Sequence, residues 1–383
     1  MKRFIAIFLA LIMTIGLAGC SGGNQTPSSP TVESSVEQGN AASEPGAATQ
    51  QYTLNVSGLD GSLTMLPVWI AEQKGWFEEA GLTVNRTGFT NGPVQMEAID
   101  AWDIGLTGVG GVLSGCINYD AILIGTVGTD DGTQYLYVRS DTPVAQAGQG
   151  HNSYHPDIYG DAESWKGLKV NCTYGNVLHY LLLKTLDGVG LTVEDVDVNW
   201  MDMATSNASL LAGEGDAACV SGEASFNENK KDFVIASSGQ MAGLGLLTNV
   251  MANPNSLQDS EIRAATKVFL KVLYETIDWI YANPDEAKDH LIEWCDYAGS
   301  SISDEIAKIY LSVDSYYTLE KNYETLHAPA VDGGNYNSVQ ESVLNILRFF
   351  INTGNYQEGD DEKFLQPHHI DTSLIDELYA EVK

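Results

Sequence analysis

The sequence predicts an α/β protein with parallel strands, divided into two lobes, and three observations carry that prediction. From residue 52 onward, strand-like and helix-like patterns alternate, which is the mark of βαβ construction. The same order of elements returns after residue 168. The chain has 383 residues, more than one ordinary core fills.

Taken in order, the chain opens with "MKR" and the apolar run "FIAIFLALIMTIGLA", a secretory signal over residues 1–19. Its ending, Leu17-Ala18-Gly19-Cys20, resembles the bacterial lipobox, which implies acylation of Cys20 and a membrane anchor. Residues 20–51 are rich in Ser, Gly, Pro, Gln and Ala, bury no core, and read as a tether. Strands follow at "TLNVSG", "LTVNRTGF", "DIGLTGV" and "AILIGTVG". Between them lie helices over 67–79 and 93–101, each opened by a proline, whose missing N–H is harmless at that position.

"LKVNCTYG" then starts the plan again. A helix "NVLHYLLLKTLDGVG", a strand "LTVEDVDVNWM", a helix "TSNASLLAGEG" and a strand "DAACVSGE" follow. Two landmarks recur: Gly81-Leu-Thr-Val84 matches Gly190-Leu-Thr-Val193, and Asp103 answers Asp216. "QYLYVRSD" (134–141) reads as the outward crossing between lobes and 243–253 as the return, a hinge of two segments. The lobes are then 52–138 with about 250–383, and 139–249. Helices over 257–282, from Pro284, over 303–313 and over 338–352 complete the first lobe.

In open parallel sheets, ligands bind beyond the carboxyl ends of the strands. The loops there are 61–65, 90–92, 108–111, 129–132, 174–176, 204–206 and 221–224. Helix N-termini in them offer free N–H groups and partial positive charge. Ser62, Thr64, Asn91 and Asn176 add side-chain partners. Leu63, Met65, Gly92, Gly108, Val109, Gly110 and Gly175 bring backbone. The bland alternative for each is capping or turn chemistry. Phosphate-binding motifs are absent, and no lysine or arginine stands in the loops. Asp60, Asp130, Asp131 and Glu223 instead favour a ligand bearing an amino group or a heteroaromatic N–H. Tyr174, His179 and Trp69 offer a flat wall, with helix core as their alternative role.

Composition excludes several classes. A formal net charge of -32 disfavours nucleic-acid binding, because phosphate contacts need a basic face. Cys116, Cys172, Cys219 and Cys295 lack ligand spacing and read as small core residues, with disulfide pairing left open. His151 and His155 share a polar loop without a third ligand, and His368-His369 sits near the C-terminus. No nucleophile elbow or triad is present, so the expectation is no enzyme, no cofactor and no metal.

At this point a resemblance enters. "LPVWIAEQKGWFEEAGLTV", "WKGLKVNCTYGNVLHYLLLKTLDGVGLTVEDVDV" and "LLAGEGDAACVSGEASF" are similar to segments of the nitrate/sulfonate/taurine group of ABC-transporter substrate-binding proteins, with thiamine-precursor binders among their relatives. The resemblance spans roughly residues 52 to 300. It implies the periplasmic-binding-protein-like (type II) fold, two crossing hinge segments and extra C-terminal helices. It also implies a monomer that traps a small molecule and delivers it to an ABC permease with its ATPase. Such a lipid-anchored protein sits on the extracellular face, or in the periplasm of a Gram-negative cell. By position the site falls at Ser62 to Met65, Asn91, Gly92, Gly108 to Gly110, Tyr174 to Asn176, and the loop at Glu223. Two departures stand out. Gly222-Glu223-Ala224 replaces the family's aromatic-Glu-Pro, and residues 142–163 exceed the usual connector, as a lid or partner surface would. Two rivals accompany this reading: a solute sensor without transport, and a pyrimidine-synthase-like enzyme, for which the needed cysteine cluster is missing.

Overall fold

The computed structural model describes residues 51–152, 155–222 and 232–383. The signal segment, Cys20, the tether up to residue 50, and Glu223 lie outside the described residues. Ten strands are present among those described: β1 (Tyr52–Leu59), β2 (Leu82–Phe89), β3 (Ile104–Thr107), β4 (Ile122–Thr129), β5 (Tyr135–Arg139), β6 (Lys169–Cys172), β7 (Asp197–Trp200), β8 (Ala217–Val220), β9 (Phe233–Ser238) and β10 (Leu247–Ala252).

They form two five-stranded sheets, ordered β2-β1-β3-β10-β4 and β7-β6-β8-β5-β9. The two orders are one pattern. In each, a parallel trio is followed by a strand that has crossed from the other half and runs antiparallel to both neighbours. The inner strands β3 and β8 are buried along their whole length, as sheets covered on both faces require.

The crossings are 130–134 and 239–246 rather than 134–141 and 243–253, most of whose residues pair as β5 and β10, and the two run side by side. Asp130 N–H donates to the Leu246 carbonyl at 3.1 Å, and Gly239 N–H to that of Gln134 at 2.9 Å. Asp131 Oδ1 accepts the Leu246 N–H at 2.9 Å. A Cβ at Gly239 would stand 2.5 Å from the Asp131 carbonyl oxygen, so the close approach itself demands glycine.

Several predicted elements are shorter than their patterns. The 67–79 helix becomes Leu66–Lys74 and Trp76–Glu79, broken where Gly75 takes φ 72. The 93–101 helix is Gly92–Glu97 followed by a 3-10 turn. The 191–201 strand starts only at Asp197, because a Thr192/Asp195 capping box winds Val193–Asp195 into a 3-10 turn. The two Gly-Leu-Thr-Val copies therefore share their glycine turn and diverge after it, Leu82 opening β2 while Leu191 and Thr192 lie outside any strand. Segment 142–163 is no free lid in its described part. Val144 and Ile158 are fully buried, and Tyr159 N–H donates to the Ala236 carbonyl at 2.9 Å, covering the open edge of β9.

The C-terminal helices wrap the first sheet. Ser260–Ala282, started by the Asp259 cap, packs on β1 and on Leu66–Lys74. Ser338–Asn352 lies along the hinge, where Ser342 Oγ donates to the Gly245 carbonyl at 2.5 Å. Cys116, Cys172, Cys219 and Cys295 are buried, and no disulfide joins them.

Candidate functional site

Loops from the two sheets meet. A Cβ added to Gly110, in the first turn of the helix Val109–Tyr119, would lie 3.6 Å from Asn176 Cα and 3.7 Å from the Gly175 carbonyl oxygen. An added carbon would thus sit in van der Waals contact with the second lobe, so the backbones of the two lobes approach closely here. Beside it opens a cavity of about 520 Å³. The first lobe gives it Asn91, Pro93, Ser114, Ile117 and Asn118. The second gives Thr173, Tyr174, Gly175 and Asn176, and the C-terminal region gives Phe350, Asn355, Tyr356, Gln357 and Asp360.

Local chemistry positions these groups. Asn91 caps the helix Gly92–Glu97, its Oδ1 accepting the Val94 N–H at 3.0 Å. Asn176 caps Val177–Gly188 by accepting from Leu178 and His179 at 3.0 and 3.3 Å. Each asparagine keeps its amide NH₂ for another acceptor. Tyr174 is 60% exposed and donates to Asn355 Oδ1 at 3.1 Å, linking the second lobe to the C-terminal turn.

Behind Tyr174 stands an aromatic group. His179 lies 4.9 Å from Tyr174, 4.8 Å from Trp200 and 5.7 Å from Phe350, centroid to centroid. Burial pushes the His179 imidazole down to about 4, so it is neutral, and its Nδ1 accepts the Gly175 N–H at 3.2 Å. The lining thus combines amides, hydroxyls and rings with a single carboxylate, Asp360, and no cation.

Of the sequence-predicted residues, Asn91, Tyr174, Gly175 and Asn176 line this cavity, and Gly110 touches its rim. Gly92 lies behind it, in a helix contact where a Cβ would come 2.5 Å from the Gly111 nitrogen. Gly108 and Val109 start the helix Val109–Tyr119, with Val109 buried. The loop 61–65 stands elsewhere. Its carbonyls at Gly61, Ser62 and Leu63 accept from Tyr310 Oη, Trp294 Nε1 and Tyr316 Oη at 3.3, 2.9 and 2.7 Å. Leu63, Thr64 and Met65 are buried, and Ser62 Oγ donates to the Leu59 carbonyl. What this loop approaches is the chain's own C-terminal roof. Trp69 belongs to that roof too, 5.2 Å from Trp294, and Arg86 engages Asp60 at 2.9 Å.

Asp130 and Asp131 sit in the hinge. With Asp314 they form a carboxylate group whose partners are hydroxyl, amide and backbone donors. Desolvation, then the Asp314 charge, raises Asp130 to about 8, and desolvation raises Asp131 to about 6. The sequence reading missed Phe350, Asn355, Tyr356, Gln357 and Asp360 because it looked only at strand-to-helix loops. The polar, glycine-punctuated stretch "NTGNYQEGD" after an apolar helix was the available signal.

No protein-family model matches the chain. A Brachyspira hyodysenteriae protein described as an ABC transporter periplasmic binding protein is 23% identical over 252 residues, 65% of this chain and 72% of that protein. A Brucella abortus binding protein is 30% identical over 152 residues, 39% of this chain and 41% of its own length. Among solved structures, the alkanesulfonate-binding protein SsuA of Xanthomonas axonopodis pv. citri, bound to MOPS, superposes with a TM-score of 0.63 at 15% identity, covering 85% of this chain and all of that one (100%). The nitrate-binding protein NrtA of Synechocystis PCC 6803 gives 0.62 at 13% identity, covering 88% and 90%. In sequence the chain resembles a periplasmic binding protein of an ABC transporter, and in fold it resembles the sulfonate- and nitrate-binding structures.

Proposed function

We propose that this chain is the lipid-anchored solute-binding component of an ABC importer. It captures a small polar organic solute of the nitrate/sulfonate/taurine/thiamine-precursor class between its lobes and presents it to a permease. The observation that carries the reading is the close approach of Gly110 to Gly175 and Asn176 beside the shared cavity. A solute held by both sides binds best when they meet, so its differential affinity drives closure. The lining favours a nitrogen-bearing member of that class. Asp360 accepts from an N–H donor, the Asn91 and Asn176 NH₂ groups meet an acceptor on the same solute, the aromatic group takes a flat ring, and no lysine or arginine in the lining neutralises a bare anion. No chemical step is required of any residue. Acylation of Cys20 would hold the protein at the membrane, and Cys20→Ala should release it to the soluble fraction.

The test is thermal unfolding of the full chain against sulfonates, nitrate, pyrimidine precursors and small amino acids. A solute at about 100 times its Kd stabilises by ~2.7 kcal/mol. The expected result is a shift with a nitrogen-bearing organic solute that Tyr174→Ala reduces. A shift that Tyr174→Ala leaves intact would remove this cavity from the reading.

A further inference from the structure

A second constellation lies on the first lobe, away from the cleft. Asp120 follows the helix Val109–Tyr119, and His368 and His369 belong to the turn Pro367–His369. His368 Nε2 stands 3.5 Å and His369 Nε2 3.6 Å from one oxygen, Asp120 Oδ1. Both separations exceed the ~3.2 Å limit of an N–H···O hydrogen bond. They approach the edge of a tetrahedron instead: with metal–ligand bonds of about 2.0–2.1 Å, ligand atoms stand about 3.3 Å apart.

The histidine that anchors the group is built for this. His369 is 2% exposed, and its Nδ1 lies 3.1 Å from the Phe364 carbonyl. With Nδ1–H donating there, the lone pair is on Nε2, which is buried and has no hydrogen-bond partner. A ring fixed by a backbone carbonyl on one nitrogen, with the other aimed at a shared carboxylate, is how metal-ligating histidines are oriented. Asp120 is independently unusual. It is the sole non-glycine with positive φ, 53°, among the described residues, so a left-handed helix end suited to glycine carries a carboxylate. The scaffold is fixed as well, since Ile370 bridges Leu123 and Asp371 N–H donates to the Leu123 carbonyl at 3.0 Å.

We propose that Asp120, His368 and His369 bind a divalent transition metal of the zinc class. Two imidazoles and one carboxylate select zinc, cobalt or nickel over calcium and magnesium, which require oxygen shells. Asp120 and His368 are exposed, so a fourth position stays open to water. The helix Val109–Tyr119 has eleven residues, which puts the metal about 16 Å from its cleft-facing start. The metal pins the turn Pro367–His369 to that helix and leaves the solute cavity free.

The test uses the untagged full chain, stripped with a chelator and titrated with Zn²⁺ against a chromophoric competitor. One equivalent should bind, with no competition from Ca²⁺ or Mg²⁺, and Co²⁺ should give the visible bands of a tetrahedral complex. His368→Ala and Asp120→Asn alter exposed positions and spare the fold, and each should weaken Zn²⁺ by at least about tenfold. Failure of the wild type to bind Zn²⁺, or binding that either variant leaves unchanged, overturns the site.

Discussion

Asp103 and Asp216 perform the same task in the two sheets. Asp103 Oδ2 accepts the Asn55 N–H at 2.8 Å while its own N–H donates to the Asn55 carbonyl at 2.9 Å. Asp216 Oδ2 accepts the Lys169 N–H at 3.0 Å and its N–H donates to the Lys169 carbonyl at 2.9 Å. Each aspartate thus clamps the middle strand of its sheet's parallel trio, β1 or β6, just before the next strand of the trio begins. Removing either carboxylate should cost about 1–2 kcal/mol, the worth of a charged acceptor on a partly open backbone group. Because the clamps sit in separate sheets, urea denaturation of Asp103→Ala, Asp216→Ala and the double variant should show additivity within ~0.5 kcal/mol.

Gly92 allows two helices to touch. A Cβ there would meet the Gly111 nitrogen at 2.5 Å, Gly111 Cα at 2.7 Å and Thr107 Oγ1 at 2.7 Å, and two of these three atoms are backbone. Gly92→Ala should therefore destabilise by about 1–3 kcal/mol, the usual range for overpacking. It should also displace Asn91, so the solute-induced thermal shift should shrink along with stability.

Gly110 gives the opposite contrast. Its added Cβ would meet Asn176 and Gly175 at ordinary distances of 3.6 and 3.7 Å. Gly110→Ala should fold, close, and gain about 0.5–1 kcal/mol of helix stability. Gly110→Leu places three more carbons where the second lobe must come. Solution scattering should then show no compaction with solute, although the protein remains folded.

The hinge carboxylates predict a pH dependence. An unfolded aspartate releases its proton near 3.8, whereas folded Asp130 holds it to about 8. Between those values the native state carries the extra proton, so stability falls as pH rises, by at most ~1.4 kcal/mol per unit. Asp130 is only half-buried, which makes that slope an upper bound. Denaturation at pH 5 and pH 8 should show Asp130→Asn losing part of the fall. An identical fall in both proteins would mean that Asp130 ionises normally.

Much of this architecture was legible because its determinants are local. Proline openings and the Gly81 and Gly190 turns act within a few residues, and the paired aspartates mark the same point of the plan in each half, as the matching sheet orders reflect. The strand β9 escaped the pattern because, as an edge element antiparallel to β5, it stands outside the strand–helix alternation. The roof over loop 61–65 escaped for another reason. Tyr316, Trp294 and Tyr310 lie more than two hundred residues from the carbonyls they engage, and nothing in "GSLTM" says who its partner is. The cavity was half legible. Asn91 and Asn176 carry cap signals, but Asn355, Tyr356 and Gln357 become lining only through the packing of Ser338–Asn352.

That roof has a consequence for how the chain acquires its shape. The first strand and its loop are made early, yet their carbonyl partners are separated from them by 232, 249 and 253 positions. Such closures carry a large loop entropy and slow the search for the native state. The first sheet must therefore wait, incomplete, while the entire second lobe is synthesised and its chain returns through β10. Refolding should accordingly have a late phase, reported by Trp294, in which the loop 61–65 locks after both sheets have paired.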